Sequence, residues 1–533
     1  MANLYSHHFF LFPFSWENKV NSKRNNISLF DKTDLKSVED KIDKRYWEKF
    51  NFSFKIDEGT QTYNDFIYFY DQVRDVLLLS DEKKEVSGLQ FQYKSELLIN
   101  GKYIIGIKKQ KDIELDLKDI YVNFYESGVG IFVFYIENYS ESDFNRILKI
   151  NEYGRRIFPQ FLGGYDPYTD ATKKSFLSTK ISLKNIISQK SIIEEDFSYY
   201  DRLDHLNSEY FRLPNHIGSL LGDNFSGNTK DKSEDKIYML PVLDDRMFVI
   251  SHVFNKDLIQ KWSDFNEHTK QYHYQTSNDW YRYLYVDDSN ASCTSVNMLN
   301  KQLTQQSYDR WIASKNFDNK GKIIEYFGQL YGISRYSFVL LGGEDWFNRN
   351  IICSHIKNMY FQMVLLGLLQ RTYIINFGNE VSRIGKNLHH KNLKTQNIRD
   401  INELYLAYIK FRNRIFYREI TSQEQGIELY DLLQKTLRID HQVKDLDDEI
   451  RELNEYVQSL ENSRLSSVAS LFLPVTLLAG ILGMNIFSAP QSVSWTLKNI
   501  DWKLTLFMLF SVIAMLWAGV VTFKYLFDKK IKK

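Results

Sequence analysis

Two apolar runs near the C-terminal end constrain this 533-residue chain more than any other feature. The first, Leu465–Phe487, reads LSSVASLFLPVTLLAGILGMNIF without a single charge. As a helix rising about 1.5 Å per residue it extends about 34 Å, more than the roughly 30 Å hydrocarbon core of a bilayer. The second, Leu504–Phe527, has one charge, Lys524, in its last turn, where a lysine can snorkel to the headgroups. Trp495, Trp502 and Tyr525 stand near the run ends as interfacial anchors do. Both runs are too long and too clean for ordinary core helices. The expectation is a transmembrane hairpin with a first span over 465–487, an outer loop over 488–503 and a second span over 504–527. Lys529, Lys530, Lys532 and Lys533 follow the second span, whereas the loop holds Lys498 and Lys503 opposed by Asp501. The positive-inside rule places the basic tail 528–533 in the cytosol. An even number of spans then puts the large N-terminal region there too, giving a multi-pass protein of the cell (inner) membrane. Residues 1–16 lack a basic n-region and a cleavage site, so no signal peptide is expected.

The mean hydropathy of −0.40 averages this end away. Upstream, 43% hydrophobic and 15% aromatic content is ample for packed cores and excludes a disordered or fibrous chain. With 68 Lys+Arg against 67 Asp+Glu the chain lacks the basic excess of a nucleic-acid binder, and no direct nucleic-acid contact is expected. Cys293 and Cys353 are the only cysteines, which excludes a disulfide framework or a thiolate cluster.

The cytosolic part reads as α+β. Residues 1–220 alternate strand-like and helical stretches: Asn100-Gly101 is a hairpin signal, IYVNFYESG and VGIFVFYIENY read as paired strands, and Ser142–Phe158 reads as a helix. The polar stretch Gly222–Asp235 marks a boundary. A second region over 236–395 opens with strands, and helices dominate from about 295. Met359–Leu369 is apolar but short and flanked by His355, Lys357 and Arg371, which predicts a buried core helix. A long helical stalk is expected over 396–464. Leu429, Leu432, Ile439, Val443, Leu446, Ile450, Leu453, Val457 and Leu460 recur in steps of four and three, interrupted at Thr436, and neither Pro nor Gly intervenes between Ile427 and Leu473. This predicts one continuous helix running into the bilayer, its seam packed on neighbouring copies or on helices of the same subunit. Such a helix suggests an oligomer around a path.

Nothing announces an enzyme, and no catalytic residue is assigned. Asp287-Asp288 follow Tyr285-Val286 as in the metal-binding turn of a polymerase palm, but no other polymerase element accompanies them, and they read as a solvated strand-end pair. His7-His8 and His389-His390 offer ligand atoms, yet neighbours on a strand point to opposite faces, so ordinary histidines are expected. Walker, zinc-protease and nucleophile-elbow motifs are absent from the sequence.

At the end of the first run stands Gly483-Met484-Asn485, preceded by Pro474, Thr476 and Gly480. A span of the right length ends in this GMN, a heptad helix leads into it, and a short loop, a last span and a basic tail follow. Over roughly 430–530 this closely resembles the CorA family of divalent-cation channels. The resemblance implies an α/β funnel, enlarged here, and a homopentamer in the lipid bilayer that passes hydrated Mg²⁺, or Co²⁺ and Ni²⁺, through a ring of Asn485 side chains. Mg²⁺ gives up its waters reluctantly, and amide oxygens can bind those waters without stripping them. Gly483 would let the backbones crowd, and Met484 completes the motif. Thr476, Leu473, Leu465 and Asn462 would line the pore, with the two leucines as apolar constrictions. Two departures stand out: Asn462 is polar where relatives are usually apolar, and Ile486–Asn499 holds no carboxylate where relatives often place Glu. Among the stalk acids Asp440, Asp445, Asp447, Asp448, Glu449, Glu452 and Glu455, most of which lie off the seam, Asp448 falls nearest the family's regulatory Mg²⁺ position. A CRISPR-associated subgroup with enlarged N-terminal regions gives the alternative: an antiviral-defence effector whose membrane part answers a nucleotide second messenger. No residue in 1–395 marks where such a ligand sits.

Overall fold

The computed structural model describes residues 3–18, 33–50, 64, 66–77, 88–95, 98–157, 178–185, 191–197, 213–227, 236–244, 246–288, 293–386 and 395–483, with positions 509, 510, 513 and 517. The chain divides into two compact units, Met1–Asp448 and Glu449–Lys533.

The first unit is built on a 14-stranded sheet. Its main path runs Ser307–Trp311, Gln329–Ile333, Ser337–Gly342, Phe248–Phe254, Ser6–Asn18, Val129–Asn138, Ile113–Tyr125, Lys102–Gly106, Lys180–Lys184 and Ser191–Asp196. Strands from both sides of the polar stretch 222–235 thus hydrogen-bond into one sheet. At its centre Ser6–Asn18 pairs antiparallel with Val129–Asn138, from Ser6↔Asn138 to Ser15↔Val129, and on its other edge with Phe248–Phe254. Phe248–Phe254 in turn lies parallel to Ser337–Gly342. The sequence HHFFLFPFSW supplies large side chains to both faces, so alternation here divides two cores instead of core from water. Phe10, Phe12, Phe14 and Trp16 join the buried cluster that includes Ile147, Leu148, Ile217, Trp280 and Tyr283. Phe9, on the opposite face, stacks on Phe361 with ring centres 4.8 Å apart.

The expected strand pair across residues 125–129 is present as a hairpin whose turn places Ser127 and Gly128 at φ 64 and 78. A Cβ on Gly128 would meet the Trp16 carbonyl oxygen at 2.6 Å, so strand and turn close together only around glycine. Asn100-Gly101 forms a turn with Asn100 at φ 66, but the strand after it pairs with Ile113–Tyr125 and Lys180–Lys184, so the hairpin closes one strand later than its signal suggests.

The helices that matter for function are α1 (Phe144–Gly154), α2 (Asn278–Tyr285), α3 (Val296–Gln306), α4 (Phe361–Lys386), α5 (Thr395–Arg414), α6 (Glu424–Leu437) and α7 (Ile439–Gly483). Among the described residues one stretch, Asn348–Lys386, is long and apolar enough to cross a membrane, and it is 67% buried within the fold. Met359, Val364, Leu366 and Leu369 are buried, as the flanking charges of this run indicate. Gln370 in its middle donates to the Ile415 carbonyl at 2.9 Å and accepts from Gln434 Nε2 at 2.6 Å. This is a core helix with a buried polar clasp.

The stalk departs from the single helix expected from Ile427 onward. α6 ends at Leu437, and Arg438 adopts the left-handed conformation, φ 57 and ψ 35, before α7 begins. A non-glycine residue pays roughly 1–2 kcal/mol for this. Burial of Leu437 and Ile439 on either side offsets it, at 1% and 0% exposure. Tertiary packing therefore overrides a periodicity that contains no helix breaker.

Candidate pore helix and ligand cavity

α7 runs unbroken for 45 residues. Its seam residues Ile439, Val443, Leu446, Ile450 and Val457 are buried. Within the first unit α5 faces the start of this seam. Tyr408 donates to Asp447 Oδ1 at 2.6 Å, and Arg412 lies 3.6 Å from the same carboxylate. Asp440 pairs with Arg418 at 3.3 Å and Asp445 with His441 at 2.8 Å, so several stalk acids have partners within the chain. Asp448 is exposed on α7 and also makes a polar interaction.

Beyond residue 460 the helix presents large apolar side chains to the outside, with Leu465 67%, Phe472 53% and Leu473 68% exposed. Such a stripe needs lipid or other protein around it. At about 100° per residue, Asn462, Leu465, Leu473 and Thr476 fall within roughly 80° of one another around the helix axis. Asn462 is exposed, and Thr476 turns its hydroxyl back to the Phe472 and Leu473 carbonyls at 3.1 and 2.9 Å. Gly483 is the last residue of α7, while Met484 and Asn485 lie outside the described residues. Of the second run, Leu509, Phe510, Ile513 and Trp517 are helical and exposed.

The other sequence candidates resolve differently. His7 and His8 do point to opposite faces. His8 donates to Asn151 Oδ1 at 2.7 Å and meets Ser251 Oγ at 3.1 Å, while His7 faces His252. His389-His390 lie outside the described residues. Asp287 and Asp288 follow the C-terminal end of α2 and not a strand, after Val286 at φ 54. Asp288 is ion-paired at 3.1 Å to Arg282, which also holds Asp279 at 3.2 Å. The pair thus has a structural role at a helix end, not that of a solvated strand terminus.

Sequence reasoning missed a cavity of about 630 Å³ in the first unit. Tyr281 and Tyr285 of α2 stack on one side with ring centres 4.3 Å apart. Gln302 and Gln306 of α3 contribute amides, Gln302 accepting from the Tyr285 hydroxyl at 2.8 Å. Arg335, Lys435 and Arg438 supply positive charge. Tyr336, also in the wall, has the Arg155 and Arg246 guanidinium carbons 5.6 and 5.8 Å from its ring centre. Arg155 is fully buried; it reaches Glu152 at 3.3 Å and the Val286 carbonyl at 3.2 Å, but its Nε and Nη1 find no partner among the described residues. Burial pulls the Arg155 guanidinium below its ordinary range. Burial likewise weakens Arg371, with Arg335 adding like-charge repulsion. Stacked rings, amides and exposed cations suit a flat ligand bearing negative charge. Tyr281/Tyr285 and Gln302/Gln306 are i, i+4 pairs visible in the sequence, but nothing in the sequence brings the two helices to Arg438.

A long helix that ends in an exposed apolar stripe is a feature of proteins that assemble or act in a membrane. Residues 372–526 match the family described as CorA-like Mg²⁺ transporter protein, so this C-terminal part is similar to that family. The match begins inside α4 and ends within the second apolar run, leaving most of the large sheet outside it. No curated protein matches the chain.

Proposed function

We propose that the chain is a CorA-like divalent-cation channel, a homopentamer that passes hydrated Mg²⁺, and Co²⁺ or Ni²⁺, through a ring of Asn485 side chains at the end of a two-span hairpin. Both termini lie in the cytosol of this arrangement. The observation that carries the reading is α7: one helix runs from the buried seam near Ile439 to Gly483 of the GMN. Asn462, Leu465, Leu473 and Thr476 share a face that five copies can turn toward a common axis. The outer mouth admits ions without concentrating them, because Ile486–Asn499 holds no carboxylate to attract cations. Asp448, close to where α7 leaves the first unit, is the proposed regulatory carboxylate, at which cytosolic Mg²⁺ holds the channel closed. Proteoliposome flux of Mg²⁺ into an entrapped indicator tests this. Wild-type uptake that Asn485→Ala abolishes supports it, and Asp448→Asn should relax inhibition by internal Mg²⁺. Uptake unaffected by Asn485→Ala would falsify the Asn ring.

The basic, aromatic cavity favours a second reading, in which a nucleotide second messenger opens the membrane part. Arg438 lines the cavity and is the residue between α6 and α7, so a ligand that draws on it acts on the joint of the pore helix. Thermal stability against a panel of adenine nucleotides and Mg²⁺ separates the two modes of control. A ligand at a hundred times its Kd adds about 2.7 kcal/mol.

A further inference from the structure

We propose that His7, His252 and Cys353 form a three-coordinate site for copper(I) inside the sheet domain. The three residues come from distant parts of the chain, and the fold alone brings them together. His7 and His252 are direct antiparallel partners on adjacent central strands, so their side chains leave the same face of the sheet. Cys353 approaches that face from a short helical segment lying between two π-helical turns, Asn348–Ile352 and Ile356–Tyr360. Such turns are rare and recur at functional sites.

The geometry suits a metal. His7 Nε2 lies 3.0 Å from His252 Nδ1 and 3.5 Å from Cys353 Sγ. One ligand atom from each of the three residues falls within a sphere of mutual distances no larger than 4.8 Å. Metal–nitrogen bonds of about 2.0 Å and metal–sulfur bonds of about 2.3 Å require ligand atoms roughly 3.3–3.7 Å apart; the two contacts of His7 lie within about half an ångström of this, and the remaining separation stays within 4.8 Å. All three are buried, at 0%, 0% and 5% exposure. Hydrogen bonding leaves the cluster under-satisfied: His7 Nδ1 and His252 Nε2 have no partner among the described residues. These are the nitrogens other than the two that meet at 3.0 Å, so each can carry the ring proton and leave the facing nitrogen's lone pair to a metal.

The choice of ion follows from donor type and charge. Two imidazoles and a thiolate select soft or borderline ions and disfavour Mg²⁺, which takes oxygen ligands. Glu137, the nearby carboxylate, is occupied by Lys357 at 2.8 Å and by the hydroxyls of Tyr135 and Tyr139 at 2.5 and 2.6 Å. Burial raises the Cys353 thiol above its ordinary range, and Lys357 and Arg349, four residues either side, oppose this without reversing it, so the thiolate forms as the metal binds. A thiolate with Cu⁺ is neutral overall; with Zn²⁺ it would leave a net positive charge in a dry site already flanked by two cations. Three ligands also suffice for Cu⁺, whereas zinc wants a fourth. On binding, the Cu–S bond forms as the Cys353 S–H proton leaves to solvent, and no electron is transferred.

The test uses the full-length chain in detergent, stripped of metal, kept reduced, and titrated with Cu⁺ held by the coloured competitor bicinchoninate. Wild type and Cys293→Ser should each withdraw a single equivalent per chain and keep it in excess Mg²⁺, while Cys353→Ser and His252→Phe should withdraw none. His252→Phe fills the buried space with an apolar ring, and His7→Phe does the same from the other strand, so the question is answered even where one variant fails to fold. Copper uptake that persists in folded Cys353→Ser, no uptake by wild type, or replacement of the bound copper by equimolar Zn²⁺ overturns the assignment.

Discussion

The Tyr408 hydroxyl donates to Asp447 at 2.6 Å and so ties α5 to the first turns of α7, one residue before Asp448. Tyr408 is buried at 4% exposure, and the carboxylate raises its phenol further above the range that burial alone sets. Tyr408→Phe removes the hydroxyl and keeps the ring. The expected cost is about 1 kcal/mol, because Asp447 retains solvent and Arg412 as partners. Thermal unfolding of the detergent-solubilised chain reads this, and an unchanged midpoint would show that the contact does not fasten the stalk.

Gln370 separates a core helix from a membrane span. Its amide serves the Ile415 carbonyl, and its oxygen accepts from Gln434 and from the Tyr430 hydroxyl at 3.2 Å. Gln370→Leu leaves the Ile415 carbonyl and the Gln434 amide without this partner, while Tyr430 keeps the Tyr417 carbonyl at 2.8 Å, and should destabilise the first unit by about 2 kcal/mol. Were Asn348–Lys386 lipid-facing, the same change would be neutral or stabilising, so the sign of the midpoint shift decides.

Arg438 carries two opposed expectations. Arg438→Gly relieves the left-handed backbone and should stabilise the α6–α7 joint by about 1 kcal/mol, as glycine accepts positive φ freely. The same change removes a cation from the cavity wall, so any stabilisation by an anionic nucleotide should shrink. Measuring both on one sample separates backbone strain from ligand contact.

His216 gives the sheet domain an acid sensitivity. It is fully buried, stacks on Phe134 with ring centres 6.0 Å apart, and both its ring nitrogens lack partners among the described residues. Burial pushes its imidazole down to about 3, against about 6.5 in an unfolded chain. Between those values the unfolded state binds the proton and the folded state does not. The stability of the neutral, buried ring is therefore complete above about pH 6.5 and falls as pH drops toward 3. At pH 5 the loss from this one group is about 2 kcal/mol. His216→Phe should recover that amount at pH 5 relative to wild type and leave the pH 7.5 difference unaffected by titration. Equal acid sensitivity in both proteins would remove His216 as its source.

The two apolar C-terminal runs, their flanking lysines and the Gly483-Met484-Asn485 tripeptide are legible in the residues themselves, because length, charge and motif are local properties. The same holds for Val129–Asn138, a run of apolar and aromatic residues that only a doubly covered strand accommodates, and for the seam from Ile439 to Val457, but not for the strands between Ser307 and Gly342, where helices were expected from about 295. Periodicity failed at Arg438, where no helix breaker exists and only the burial of Leu437 and Ile439 ends one helix and starts the next. Asp287-Asp288 were misplaced for a related reason, because a short polar run after an aromatic stretch reads alike at a strand end and at a helix end.

Sequence alone thus determined the parts whose physics is one-dimensional: an uncharged run long enough for lipid, and alternation of side chains along a strand. Tertiary structure decided what long-range register controls. It set His7 opposite His252 and beneath Cys353, and it gathered Tyr285, Gln302, Tyr336 and Arg438 around one cavity. No local signal encodes such meetings, because each depends on which strands pair and how helices cross the sheet, and those choices are settled by the sum of burial over the whole core.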